Sequence, residues 1–172
     1  LRRGRPGDIL AAMHRGRILT TEALSGIRDD MARAGQRLVF TNGCFDLLHA
    51  GHVRYLQQAR ELGHALAVGL NSDRSVRELK GDGRPINAED DRAEVVAALG
   101  CVDYVVIFDG KRATEILRAV RPHVYAKGGD YTPESLDPEE RAVLDAAGAE
   151  VRILPLVPGR STTSALERIG RR

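Results

Sequence analysis

From residue 37 onward, short apolar runs rich in β-branched residues alternate with longer helical patterns, and that rhythm decides the fold class. The runs are Leu38–Phe40, Ala65–Leu70, Tyr104–Phe108, Val124–Ala126 and Val151–Leu154. Helical patterns at about 52–62, 89–99, 112–120, 138–147 and 162–169 lie between and after them. Strands that are apolar at nearly every position need cover on both faces, the mark of a parallel sheet. The expected architecture is doubly wound α/β, with about five parallel strands and helices on both faces. Residues 1–36 lack this rhythm. They are polar and arginine-rich, with a helix starting at Thr20-Thr21-Glu22, running to Ala34 and stopped by Gly35. They read as an N-terminal helical linker or appendage, with the functional domain at 37–172. There is no internal repeat.

Composition narrows the function. A chain of 172 residues with 42% hydrophobic content builds one domain with a real core. A net charge of +2, without a basic run interleaved with aromatics, argues against nucleic acid as partner. No stretch approaches the roughly 18–20 apolar residues of a membrane span, and Ile9–Met13 is too short for a signal-peptide core. Two cysteines, Cys44 and Cys101, make no disulfide framework, so a reducing cytoplasm is expected. A first residue of Leu suggests a trimmed chain or excised domain. Of 26 cationic residues only Lys80, Lys111 and Lys127 are lysine. The arginine excess fits a coding bias, which makes the surviving lysines informative.

In doubly wound sheets ligands bind beyond the carboxyl ends of the strands, at the point where strand order reverses. The loop after the first strand reads Thr41-Asn42-Gly43-Cys44-Phe45-Asp46-Leu47-Leu48-His49-Ala50-Gly51-His52. It is neither a dinucleotide fingerprint nor a P-loop. Two imidazoles three apart at a helix start can face the same way, and the helix N-terminus there favours an anion. A plain pair of surface histidines would show the same spacing. The glycine between them and the switch-point position favour a site. A zinc reading, Cys44-x4-His49-x2-His52, lacks a fourth ligand.

The segment TNGCFDLLHAGH resembles the (T/S)xGxFDxxHxGH motif of the cytidylyltransferase-like nucleotidyltransferases, which have a Rossmann-like fold. By that resemblance His49 and His52 are catalytic and stabilise charge on the α-phosphate of a nucleoside triphosphate. Thr41, Asn42, Gly43, Phe45 and Gly51 are then expected to frame the nucleotide.

Three further loops resemble one branch, the adenylyltransferases acting on D-glycero-β-D-manno-heptose 1-phosphate. NSDRSVRELKGDGRPINAEDDR matches that branch's NSDxSVxxLKGxxRPxNxxxxR. It implies that Asp46, Asn71, Asp73, Lys80 and Arg84 bind the acceptor, with Lys80 and Arg84 on a loop holding its phosphate. Asp91 and Arg92 read equally well as a helix-surface ion pair. AKGGDY resembles the family's VKGGDY, so Lys127 is expected to reach the triphosphate as a catalytic group. Asp130 either contacts the nucleotide or caps a glycine turn. Arg160, Ser161, Thr162 and Thr163 resemble the G-x-S-T-T segment that contacts the β- and γ-phosphates, with Arg160 where cysteine is common. The resemblance implies AMP transfer from ATP to a sugar 1-phosphate with Mg²⁺, and no resident metal ligands. It leaves open a cytidylyltransferase for glycerol 3-phosphate or a related phosphoalcohol, and a non-catalytic nucleotide-binding module. It also implies a sugar kinase domain or protein as partner and a homodimer as an option, since residues 17–36 look like the lead-in of bifunctional members.

Overall fold

The computed structural model describes residues 16–129 and 136–155. Its strands are β1 (Arg17–Ile18), β2 (Leu38–Gly43), β3 (Ala65–Asn71), β4 (Tyr104–Phe108), β5 (Val124–Gly128) and β6 (Glu150–Leu154). They form one parallel sheet in the order β1-β4-β3-β2-β5-β6. The helices are α1 (Thr21–Arg33), α2 (Ala50–Arg60), α3 (Asp73–Lys80), α4 (Glu89–Ala97), α5 (Thr114–Val120) and α6 (Pro138–Ala146).

Successive strand residues point to opposite faces, and both faces are apolar. Val39, Leu66, Val68, Leu70, Val105, Val124 and Ala126 join α2 and α4 in one core cluster. Leu38, Phe40, Ala65, Ala67, Val106 and Tyr125 join α1, α5 and α6 in the other. This is the doubly wound arrangement expected from the apolar runs. Gly69 in mid-strand serves the packing: a Cβ there would lie 2.6 Å from Cζ of Phe40.

Two features differ from the sequence expectation. Among the described residues the sheet has six strands, because Arg17–Ile18 adds an edge to β4 through Arg17 N–H to Asp103 O (2.9 Å) and Leu19 N–H to Val105 O (2.9 Å). The segment read as an appendage is also docked. Leu24 and Met31 of α1 are buried beside Leu117 and Val120 of α5. The hydroxyl of Ser25 donates to Ala119 O (3.0 Å), and Nε of Arg28 donates to Arg121 O (2.7 Å). A fully buried leucine contributes about 1.5–3 kcal/mol, so α1 belongs to the fold it precedes.

Strand order reverses between β2 and β5. The chain steps outward from β2 to β3 to β4, then crosses back through α5 to place β5 on the other side of β2. β2 pairs with β3 as far as Gly43, and β5 pairs with β6 as far as Gly128. Pairing between β2 and β5 stops at Phe40 and Tyr125. Beyond that point the two strands part, and the resulting crevice is where the histidine loop and the Lys127 strand end emerge.

Candidate active site

The histidine loop is built by local chemistry. His49 is the N-cap of α2, and its Nδ1 accepts from Gly51 N–H (3.1 Å). Nδ1 of His52 reaches back to accept from His49 N–H (3.3 Å), so the two imidazoles form a reciprocal capping box. Their rings stack at 3.9 Å between centroids and 22° between planes. With Nδ1 of each ring spent as an acceptor, the proton of each neutral ring sits on Nε2. Each ring thus has an Nε2–H left to donate beside the N-terminus of α2.

Phe45 packs against the His52 ring. Its backbone is left-handed, with φ of 45°, a conformation costing a non-glycine residue roughly 1–2 kcal/mol. That turn brings its side chain edge-on to His52, with centroids 5.5 Å apart. Gly43 makes room, since a Cβ there would sit 3.0 Å from Cε2 of Phe45. Gly51 is buried in the first turn of α2.

Burial, followed by the neighbouring His49, pushes the His52 pKa down to about 4. His123 is also lowered, by burial and then by Arg28 and Arg37; its Nδ1 accepts from Leu38 N–H (3.0 Å). Groups whose folded pKa lies below the unfolded value take up protons first in the unfolded chain. The stability contribution of His52 is therefore complete above about pH 6.5 and is lost as pH falls towards 4, and His123 acts in the same direction. Melting temperatures measured between pH 7.5 and 4.5 should decline on acidification. His52→Gln keeps a capping-box acceptor but removes the titrating ring, so its decline should be shallower. An identical slope would refute this origin.

Two tyrosine hydroxyls lace the crevice. That of Tyr55, from α2, donates to Ala126 O of β5 (2.9 Å) and lies 2.6 Å from the Thr41 hydroxyl of β2. Burial raises its pKa to about 12. That of Tyr125 donates to Oδ1 of Asn42 (2.6 Å) and accepts from Nζ of Lys127 (3.1 Å). Nζ also lies 3.8 Å from Glu140, whose buried carboxylate accepts from Ala113 N–H (2.8 Å). Thr41 and Asn42 therefore use their side chains to fasten β2 to its neighbours and frame the crevice with backbone.

The expected acceptor residues gather on the β3 side. Asp46 is buried and holds the 84–87 segment: Oδ1 accepts from Ile86 N–H (2.8 Å) and Asn87 N–H (3.0 Å), and Oδ2 faces Nε of Arg84 (3.1 Å). Nη1 of Arg84 is buried and has no hydrogen-bond partner among the described residues. Asn71 is buried, its amide donating to the Ser75 hydroxyl (2.8 Å) and Gly110 O (3.1 Å). Lys80 ends α3 and is exposed; its charge, ahead of those of Arg92 and Arg84, opposes the burial that pushes the Cys44 thiol up. Asp130, Arg160, Ser161, Thr162 and Thr163 lie outside the described residues.

Arg92 corrects the expectation of a surface pair. It is only 2% exposed, and its guanidinium meets Asp73 at 2.7 Å rather than Asp91. Tyr55, Tyr125, Glu140 and Arg92 were not expected at the site. Tyr125 carried one signal, since it stands two residues before Lys127 and so shares its strand face.

Residues 40–163 match the family model described as cytidylyltransferase-like. The bifunctional protein HldE of Pelobacter propionicus is 55% identical over 135 residues, covering 78% of this chain and 27% of that protein. That of Syntrophotalea carbinolica is 49% identical over 153 residues, covering 89% and 31%. The chain spans less than a third of the length of these two relatives. Among solved structures, the lipopolysaccharide core biosynthesis protein from Thermoplasma volcanium matches with a TM-score of 0.59 at 27% identity, over 72% of this chain and 98% of that one. Pantoate-beta-alanine ligase from Francisella tularensis, at a TM-score of 0.55 and 13% identity, shares the fold.

Proposed function

This chain belongs to the cytidylyltransferase-like family, and from that premise we propose that it transfers AMP from ATP to D-glycero-β-D-manno-heptose 1-phosphate. An oxygen of the sugar phosphate attacks the α-phosphorus in line and forms the new P–O bond. The bond from the α-phosphorus to the oxygen bridging it to the β-phosphate breaks, and pyrophosphate leaves with that electron pair. The acceptor is already ionised, so no residue acts as nucleophile and no covalent enzyme intermediate forms. Catalysis consists of positioning and charge stabilisation.

The stacked His49–His52 pair carries this reading. Two Nε2–H donors suit two oxygens of one phosphoryl group, and Lys80 and Arg84 are the cations that meet an anionic acceptor. Arg84 supports this reading by its place on the segment that Asp46 holds beside the histidine loop, with guanidinium donors beyond the Nε that faces Asp46. Lys127 projects at the end of β5 towards the triphosphate, with Asp130 and the Arg160–Thr163 segment as further nucleotide contacts. Among the described residues no three His, Cys, Asp or Glu side chains converge on one point. That donor set suits Mg²⁺ carried in by the triphosphate with its own waters, as this hard cation often is, so MgATP is the substrate. A sugar kinase domain or protein is the natural supplier of the acceptor, a cytoplasmic setting suits ATP and two free cysteines, and a homodimer is the assembly to test first.

The deciding assay follows pyrophosphate from heptose 1-phosphate with ATP and CTP in parallel. Turnover with ATP is expected. Turnover with CTP alone, or with glycerol 3-phosphate in place of the sugar, would replace the adenylyltransferase reading with the cytidylyltransferase one. Nucleotide binding without turnover on any acceptor would make the chain a binding module.

A further inference from the structure

Arg92 is the largest fully buried side chain in the described fold, and it touches three loops at once. Nη1 donates to Cys44 O (2.6 Å) in the histidine loop and to Asn71 O (2.9 Å) at the end of β3. Nε donates to Asn87 O (3.0 Å) in the segment that carries Arg84, and Nη2 pairs with Asp73 (2.7 Å). A buried arginine needs this degree of pairing, since an uncompensated buried charge is strongly destabilising. Its neighbours on α4, Ala93 and Val96, are core residues, so the helix alone could have been finished with an apolar side chain.

The place of each contact is what matters. Cys44 O belongs to the peptide immediately before Phe45, whose left-handed backbone sets its ring against His52. Holding that carbonyl keeps a strained residue in the one conformation that orients the His52 ring. Asn87 is also gripped from the other side, by Asp46 through its N–H (3.0 Å) and by its own amide donating to Asp46 O (2.8 Å). Asp46 in turn faces Arg84. Arg92 therefore bears on both halves of the site, the phosphoryl donors and the acceptor cation, without lying in either.

We infer that Arg92 is a positioning residue, a buried guanidinium that sets the Phe45–His52 contact and the Arg84 segment in one register. The inference rests on the proposed transfer for its kinetic consequences but not for its structural ones. A planar fork reaches three carbonyls and a carboxylate, whereas a lysine ammonium is a point charge that cannot span them. Arg92→Lys keeps the charge for Asp73 and should fold. Its KM for the sugar phosphate should rise, and kcat should fall, each by about 10–100-fold, as expected for reacting groups misplaced by around 1 Å. Val96→Ala, on the same buried face of α4, serves as the control that lowers stability without touching the loops.

The second readout is amide exchange. In Arg92→Lys the Ile86 and Asn87 N–H groups should exchange at least about tenfold faster, reflecting local opening, while the β3 amides keep their protection. Kinetics like those of Val96→Ala, at temperatures well below both melting points, would overturn the inference, as would unchanged exchange at Ile86 and Asn87. If the wild-type chain turns over no sugar phosphate, the proposed function falls. The exchange result then decides the role of Arg92 by itself.

Discussion

Replacing His52 with alanine is expected to lower kcat by about 10²–10³, the cost typical of losing one preorganised donor at developing phosphoryl charge. The fold should survive. His52 supplies half of a capping box, with its Nδ1 accepting from His49 N–H at 3.3 Å, and loss of a cap costs about 0.5–2 kcal/mol. The other half remains, because Nδ1 of His49 still accepts from Gly51 N–H. MgATP affinity should change far less than kcat, since the remaining triphosphate contacts are left in place and the donor acts most strongly as charge builds on the α-phosphate. His52→Gln should fall between wild type and alanine, for its amide can accept from the cap and still offer an N–H. Pyrophosphate release under saturating substrates, alongside calorimetric ATP binding, measures the separation. A near-normal rate in His52→Ala would remove the histidine pair from the mechanism.

The histidine loop is legible in the chain because the groups that form it are local, although Arg92, which holds its Cys44 carbonyl, is not. Residues 41–52 contain the strand end, the glycine, the cap and both rings. The parallel sheet was readable for a related reason: strands covered on both faces are apolar at consecutive positions, and no partner is needed to see that. Features made by distant neighbours were not readable. β1 is two residues long, with an exposed Ile18 and no alternation to detect; only the free edge of β4 makes it a strand. α3 shows no helical stripe in the sequence because its eight residues contain just Val76 as buried apolar content, and its cap is a serine hydroxyl accepting from Ser75 N–H (3.1 Å); Lys80, expected on a loop, ends this helix. The Leu24–Met31 stripe of α1 looks the same on a linker and on a docked helix. Arg92 sits among Asp90, Asp91 and Glu94 and reads as surface charge; its burial is set by carbonyls 48 and 21 residues away. The tyrosine lacing likewise joins residues 83 and 71 apart. What the sequence conceals is the bracing around the candidate site; the groups proposed for its chemistry are the ones it shows.

Lys127 joins the two, and its substitution should rank with that of His52. Lys127→Met keeps the apolar stem and removes the charge, and kcat/KM for MgATP should fall by about 10²–10³ if the ammonium meets triphosphate oxygens as charge develops on them. Stability should fall less than a stranded partner would imply, because Glu140 keeps its hydrogen bond from Ala113 N–H at 2.8 Å. Lys127→Arg is the sharper test. The ammonium is mostly buried and held to the Tyr125 hydroxyl at 3.1 Å, and a wider guanidinium cannot occupy that place as a point charge. Lys111 provides the comparison, since its pair with Glu78 at 3.7 Å is exposed on both sides, and such pairs contribute little. Lys111→Arg should leave turnover unchanged while Lys127→Arg impairs it at least tenfold. In a chain with so few lysines, equal effects at the two positions would mean that Lys127 persists for packing beside Tyr125. A selective loss would mean that it persists for the phosphate.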